Sequence, residues 1–538
     1  PGGLSLHTRT SPRPVRMARI TEGVQFPSTD DGRRSTIAGG LAVWAAAARA
    51  VSATLADRID HSKATWRQMY PELITKLVEE QAYSTERAIA VAEAGLDALY
   101  STFEFVRDGK AMSIDAAMSA PLPNSLHTGF VRGTGSLQTS LTVPYFGEEL
   151  SGDAFMAQIN AWSEYGALEP PGAEALCAVS SRPDWLDLRH HTFVLLGATA
   201  ELGPLNLLLA CGATVVAVAR GSPSKWLEII RYAKGTAGTL IVPLKEPCEG
   251  PESEMADVAG ADLLTRTPEI CAWLKSLLPT LPSPVTIGTY TYLDGELNVR
   301  VSLACDAICS RIATKGSGVT LAFVQTPSQA FVLPQAAVDA ADAAYTSSYL
   351  QYLGYERNAR PAVKTAEGEP PRYVHNGYVV VQGPNYALAK AINLWRTVLA
   401  RNRDGLRVST NVAPACRTAS MQHGNKNARL VSAALSGMGN FAPMLAFDAQ
   451  TVSALMAAML VHDVRNPHAP ANPEVPLSHP WDLFSCQAFH GGSFRVGVKP
   501  QALSRLFGLT GFVWPSNPRP TLKSDATHSS LSSRGSVA

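Results

Sequence analysis

The stretch TFVLLGATAELGPLNLLLACGATVVAVAR, residues 192–220, constrains this chain more than any other part of its 538 residues. An aliphatic, β-branched run ends in a glycine, a short turn leads into an apolar segment long enough for a short helix, and a second β-branched run follows. Two strands buried on both faces and joined by a crossover helix must lie parallel in a sheet that is covered on both sides. The alternation continues along the chain. Runs at 193–196, 214–219, 239–244, 284–290, 319–324 and 407–413 predict strands, and LNLLLAC, KWLEIIRYAKG, EICAWLKSLL, VSLACDAICSRI and NYALAKAINLWRTVLARN predict the intervening helices. The expected class is α/β, with a doubly wound parallel sheet.

What precedes the sheet is different. From Thr36 to about Ser119 apolar residues recur at three and four, which predicts a helical N-terminal region preceding the sheet domain. Residues 120–150 are rich in Gly, Pro, Ser and Thr and predict a loop or linker, and a further helix is expected over 152–164. The expected organisation is therefore a disordered or targeting segment over 1–35, a helical region with linker over 36–182, the sheet domain over 183–465 with an insertion near 328–378, an extension over 466–514, and a disordered tail over 515–538.

Charge and cysteine usage narrow the function class. Forty-six basic and 45 acidic side chains leave a net charge of +1, so no global field draws the chain to nucleic acid or to an anionic membrane. The longest apolar stretch, 193–219, is interrupted by Glu201, Gly203, Pro204 and Gly212, which excludes it as a membrane span. The eight cysteines form no CxxC pair, which fits a reducing compartment. That compartment is the cytoplasm, or an organelle matrix if Arg9, Arg13, Arg16 and Arg19 belong to a transit peptide. The late histidines His462, His468, His479 and His490 lack paired acids at ligand spacing, Cys305 and Cys309 read as buried thiols, and no metal site is expected.

The glycine turn after the first strand has the layout of a Rossmann-type dinucleotide site. There, one glycine permits the tight turn, a second lets the backbone approach a pyrophosphate, and a third lets helix and strand pack. The turn residues are Gly197, Ala198, Thr199, Ala200 and Gly203; Ala200 places a methyl group at the middle glycine position, and Glu201 beside it would repel an anion if it pointed inward. Arg220 closes the second strand, where an arginine suits the 2′-phosphate of NADP and an acid would suit NAD. With Ser222 and Lys225 close behind, NADP is the expected cofactor and NAD the alternative.

Tyr386 and Lys390 stand four apart at the start of a strongly helical segment, so they share one face. A tyrosine hydroxyl can protonate a carbonyl oxygen when a neighbouring ammonium lowers its pKa from about 10.

Together, GATAELG, ARGS, YALAKAINLWRTVLA and LRVSTNVAP resemble the short-chain dehydrogenase/reductase family, in the same order along the chain. The resemblance covers roughly residues 190–435. It implies Tyr386 as general acid, Lys390 as its partner, Ser328 or Thr326 as the serine at the end of strand five, Asn298 as the helix-four asparagine, and Pro414 and Thr418 near the nicotinamide. Two departures stand out: GTYTYLDGEL replaces the family's Asn-Ala-Gly, and nearly sixty residues separate Ser328 from Tyr386, where the family has about a dozen. AFHGGSFRVG is expected to supply a final strand with Gly491 and Gly492 at its turn.

The function expected from these features is NADP-dependent chemistry on a carbonyl/alcohol pair of a small-molecule substrate. The alternative is a catalytically inactive relative that serves as a binding or structural subunit, as a homo-oligomer or with an assembly partner.

Overall fold

All six expected runs form strands of one sheet. With one strand that the sequence did not announce, they are β1 (His127–Arg132), β2 (Thr192–Leu196), β3 (Thr214–Val218), β4 (Thr239–Leu244), β5 (Val285–Thr289), β6 (Thr320–Gln325) and β7 (Val408–Val412). The computed structural model describes residues 21–28, 32–122, 125–359, 361–419 and 428–522. The sheet order is β7-β6-β5-β2-β3-β4-β1, parallel throughout except for β1, which runs antiparallel along the β4 edge. The protein is thus a mixed α/β chain with a Rossmann-type sheet. Strand order reverses between β2 and β5, and open α/β sheets bind ligands in the crevice beyond the carboxyl ends of the strands at such a point.

Alternation along the strands builds a core on each side. Phe193, Leu195, Val215 and Ala217 face the helices Gly152–Tyr165, Pro170–Ser180, Pro223–Lys234 and Ala449–Arg465. Val194, Leu196, Val216 and Val218 face the helices Thr267–Leu277 and Glu296–Ile312. Both faces of β2 and β3 are fully covered, which explains why their sequences are continuously apolar rather than alternating.

The helical N-terminal region is a third layer, not a separate body. Its helices Thr36–Arg49, Ala53–Asp60, Trp66–Gln81 and Thr85–Thr102 share one core with the helix Pro384–Asn402. Ser35, Ser52 and Ser84 cap three of these helices through their hydroxyls. Gly95 lets the layers close, since a Cβ there would lie 2.6 Å from the Trp395 ring. A buried bidentate pair, Arg396 Nε and Nη2 to Asp306 at 2.7 and 2.8 Å, is completed by the Tyr100 hydroxyl at 2.8 Å and ties three helices together.

Several expectations are corrected here. Residues 120–150 are not a plain linker, because they supply β1 and a hairpin of Val143–Tyr145 with Glu148–Leu150. Within the 1–35 segment, Gly23–Gln25 pairs with Glu104–Arg107, held by the burial of Val24 and Phe26. Residues 1–20 and 523–538 lie outside the described residues, while 515–522 run against the body, with the Gln158 amide donating to the Pro520 carbonyl at 2.9 Å. The AFHGGSFRVG segment forms turns rather than a strand: Gly491 and Gly492 take φ of 60° and 89°, and Phe489 N–H alone bonds the Val412 carbonyl at 3.2 Å. Among its described residues the insertion pairs Ala330–Val332 with Val374–Asn376 and carries a helix, Gln335–Ser347, between them. Among the described residues, no helix is long and apolar enough to cross a membrane.

Candidate active site

The helix Pro384–Asn402 begins sharply because Gly383 takes φ of 83° and Pro384 occupies the first helical position. Tyr386 therefore lies in the first turn and Lys390 one turn on, both over the carboxyl end of β6. Lys390 Nζ donates to the Val324 carbonyl oxygen at 2.9 Å, and burial pushes its pKa down to about 8. The Thr326 and Ser328 side chains lie beside the Tyr386 hydroxyl, near enough to act on its pKa. These two hydroxyls are themselves 3.0 Å apart, just past the end of β6. Burial pushes the Tyr386 pKa up to about 12, with the Thr326 and Ser328 side chains pulling downward and the Cys416 thiol pushing up. Four of the five predicted catalytic positions thus converge on one spot. The Tyr386 pKa is thus raised rather than lowered by a neighbouring ammonium: the hydroxyls offset burial only in part, and Lys390 spends a proton on strand β6.

Asn298 plays a different part. It is 3% exposed, and its Oδ1 accepts the Leu293 N–H at 3.2 Å, which orders the loop that follows β5. That loop carries Tyr292, half exposed, whose ring meets the Tyr386 ring edge-on with centroids 6.3 Å apart. Tyr292 stands where the family's Asn-Ala-Gly is missing.

Gly197 takes φ of 91°, and a Cβ on it would lie 2.9 Å from Thr291 Cγ2. Only glycine fits there, both for its dihedral and because the chain leaving β5 passes so close. Gly197, Thr291, Tyr292 and Tyr386 therefore form a continuous path along the carboxyl edge of the sheet. The turn spends much of its own donor capacity: the N–H groups of Gly197 and Ala198 both bond the Val218 carbonyl, Ala200 N–H bonds Gly197, and Gly203 N–H bonds Ala200. The Glu201 side chain reaches the loop after β7, where its Oε2 accepts the Ala419 N–H at 2.9 Å.

At the far end of the crevice Arg220 is exposed and forms no ion pair among the described residues, and its carbonyl accepts Trp226 Nε1 at 3.2 Å. Ser222 heads the helix Pro223–Lys234 without a side-chain cap. Lys225, expected beside Arg220, instead closes on Glu228 at 2.9 Å. A second cation takes its place: Lys245, after β4, puts Nζ 3.2 Å from where a Gly221 Cβ would be. Spacing could not reveal Lys245, which reaches Arg220 only because β3 and β4 are neighbours.

Pro414 and Thr418 are buried in the loop after β7, between them Cys416, whose thiol burial and the nearby Glu201 carboxylate push up to about 12. The loop is fixed from below by Gly491, where a Cβ would lie 3.0 Å from Pro414. His490 is spent on a structural network. Its Nε2 meets Glu169 at 2.9 Å while its Nδ1 accepts the Gly492 and Phe494 N–H groups at 3.1 and 3.4 Å, which fixes the Nε2–H tautomer.

No family model and no curated protein matches the chain. Among solved structures it is similar to the terminal R domain from the myxalamid PKS-NRPS biosynthetic pathway, with 17% identity and a TM-score of 0.27 over 49% of this chain and 60% of that one. The match spans less than two thirds of that domain.

Proposed function

We propose that the protein is an NADP-dependent oxidoreductase acting on a carbonyl/alcohol pair, similar in design to short-chain dehydrogenases/reductases. The observation that carries the reading is the convergence of Tyr386 with Thr326 and Ser328, whose hydroxyls are 3.0 Å apart, beside the point where strand order reverses. Three hydroxyls at one position can hold a carbonyl oxygen and supply its proton. Tyr386 is the proton donor, Ser328 and Thr326 orient the oxygen, and Lys390 holds the helix to strand β6.

The residues fit a dinucleotide with a 2′-phosphate. Gly197 keeps the turn free of a side chain, and Arg220 and Lys245, which form no ion pair among the described residues, offer two cations at the adenosine end. The cofactor, when bound, supplies or accepts a hydride. Pro414 and Thr418 bound the nicotinamide end, and Tyr292 walls the substrate side against Tyr386. A reducing compartment, cytoplasm or organelle matrix, remains part of the proposal, in keeping with eight unpaired cysteines.

One observation favours the second reading, a non-catalytic relative used for binding or assembly: four N–H groups of the turn are bonded within the fold rather than held out for phosphate. Titration with NADPH, followed by nicotinamide fluorescence, separates the two. Saturable binding with NADPH tighter than NADH supports the enzyme, and no binding of either leaves the scaffold.

A further inference from the structure

Glu201 sits in the cofactor turn, yet its carboxylate is aimed at the opposite side of the crevice. Its Oε2 accepts the Ala419 N–H at 2.9 Å, a contact between residues 218 apart in sequence. Ala419 belongs to the loop that leaves β7, three strands away from β2 in the sheet. The contact therefore spans the carboxyl edge of the sheet, over the crevice where open α/β sheets take their ligands.

Among the described residues, no cation pairs with the carboxylate. Arg417, on the same loop, turns instead to Asp448 at 3.4 Å and to the Ala446 carbonyl at 3.2 Å, and Glu201 forms no ion pair among the described residues. The turn is held in place from behind, because Ser453 Oγ donates to the Gly203 carbonyl at 3.0 Å. Glu201 also acts on its surroundings, since its charge helps keep the buried Cys416 thiol neutral. A backbone N–H that faces a nucleotide turn is the kind of donor that binds a phosphate oxygen, and a carboxylate is the side chain that most resembles one.

We infer that Glu201 sets the protein's affinity for its dinucleotide by occupying an anion position between the glycine turn and the Ala419 N–H, from which a diphosphate must displace it. This rests on the cofactor reading above and adds to it a residue that opposes binding. Two like charges cannot share the space, so the carboxylate has to swing outward, giving up its hydrogen bond, before a diphosphate can settle. Because Glu201 is exposed, its replacement is expected to leave the fold intact.

The test compares the full-length parent protein with Glu201→Ala and Glu201→Gln, using NADPH and, separately, inorganic pyrophosphate as probes in calorimetric titrations, with thermal unfolding recorded for each. Glu201→Ala is expected to tighten both probes by at least about tenfold, and Glu201→Gln, which keeps an acceptor for Ala419 but not the charge, by less. A parent that binds NADPH together with variants that bind it equally or more weakly overturns the inference and leaves the cofactor reading standing. If neither parent nor variants bind NADPH, the cofactor reading fails. In that case a gain in pyrophosphate binding by Glu201→Ala still upholds the anion position, and no gain overturns it too.

Discussion

Lys390 is hydrogen-bonded to the Val324 carbonyl oxygen, so the first turns of the helix Pro384–Asn402 are locked to the last residues of β6. That single contact fixes the separation between Tyr386 on the helix and the Thr326 and Ser328 hydroxyls beyond the strand. It also places a charge that burial disfavours one helical turn from the candidate proton donor.

This burial has a pH signature. Lys390 drops from its ordinary 10.5 to about 8 in the folded protein, so the unfolded chain binds more protons between those values, and the stability of the parent rises with pH across that window. Lys390→Met removes the effect. The stability of Lys390→Met relative to the parent is expected to be highest below pH 8 and to decline toward pH 10.5, by at most about 1.4 kcal/mol per pH unit. Urea unfolding of both proteins across pH 7 to about 10 checks this, and a flat difference contradicts the assigned burial.

Glu169 gives the opposite sign. Burial alone would raise its carboxyl, but hydrogen bonds from His490 and Arg495 outweigh that and hold it at about 2. The stability it contributes is present above about 4.5 and is lost as pH falls through that window toward 2. Glu169→Ala strands Arg495 and His490 and is expected to cost about 3 to 5 kcal/mol at neutral pH, and less near pH 3, as measured by denaturant unfolding.

Cofactor choice depends on the two cations beside Gly221. Arg220→Ala is expected to weaken NADP binding by roughly 1.5 to 3 kcal/mol, the worth of a hydrogen bond to a charged group, and Lys245→Ala by a smaller amount, with NAD affinity nearly unchanged in both. Equal losses for NADP and NAD would show that Arg220 serves the fold instead. Parallel titrations with the two cofactors decide between these outcomes.

The sheet was legible because its strands are buried on both faces and so carry continuous β-branched runs, as in TVVAV of β3. Tyr386 and Lys390 were legible because a helix puts residues four apart on one face. Strand β1 was not. HTGFVR is a half-exposed edge strand, and alternate burial within a Gly- and Thr-rich stretch looks like loop. The pairing of Ala330–Val332 with Val374–Asn376 joins short segments some forty residues apart, and no local pattern announces it. The same limit hid Lys245, Tyr292 and the partner of Glu201. Each acquires its role from a neighbour that only the strand order supplies. Asn298 was legible only as an asparagine at a helix start; its burial and its partner, the Leu293 N–H, assign it to ordering a loop.

In the proposed reaction Tyr386 donates the proton and NADPH the hydride. Tyr386→Phe removes one hydroxyl and leaves Thr326 and Ser328 able to bond each other at 3.0 Å, so fold and cofactor affinity should survive. The direct measurement is NADPH oxidation by parent and Tyr386→Phe against a panel of aldehydes, ketones and quinones, with NADPH affinity measured on the same samples. The parent is expected to turn over, the variant to lose at least about 10²-fold, and the two to bind NADPH equally. Equal turnover by the two proteins, or a parent that neither binds nor oxidises NADPH, contradicts the proposed reaction.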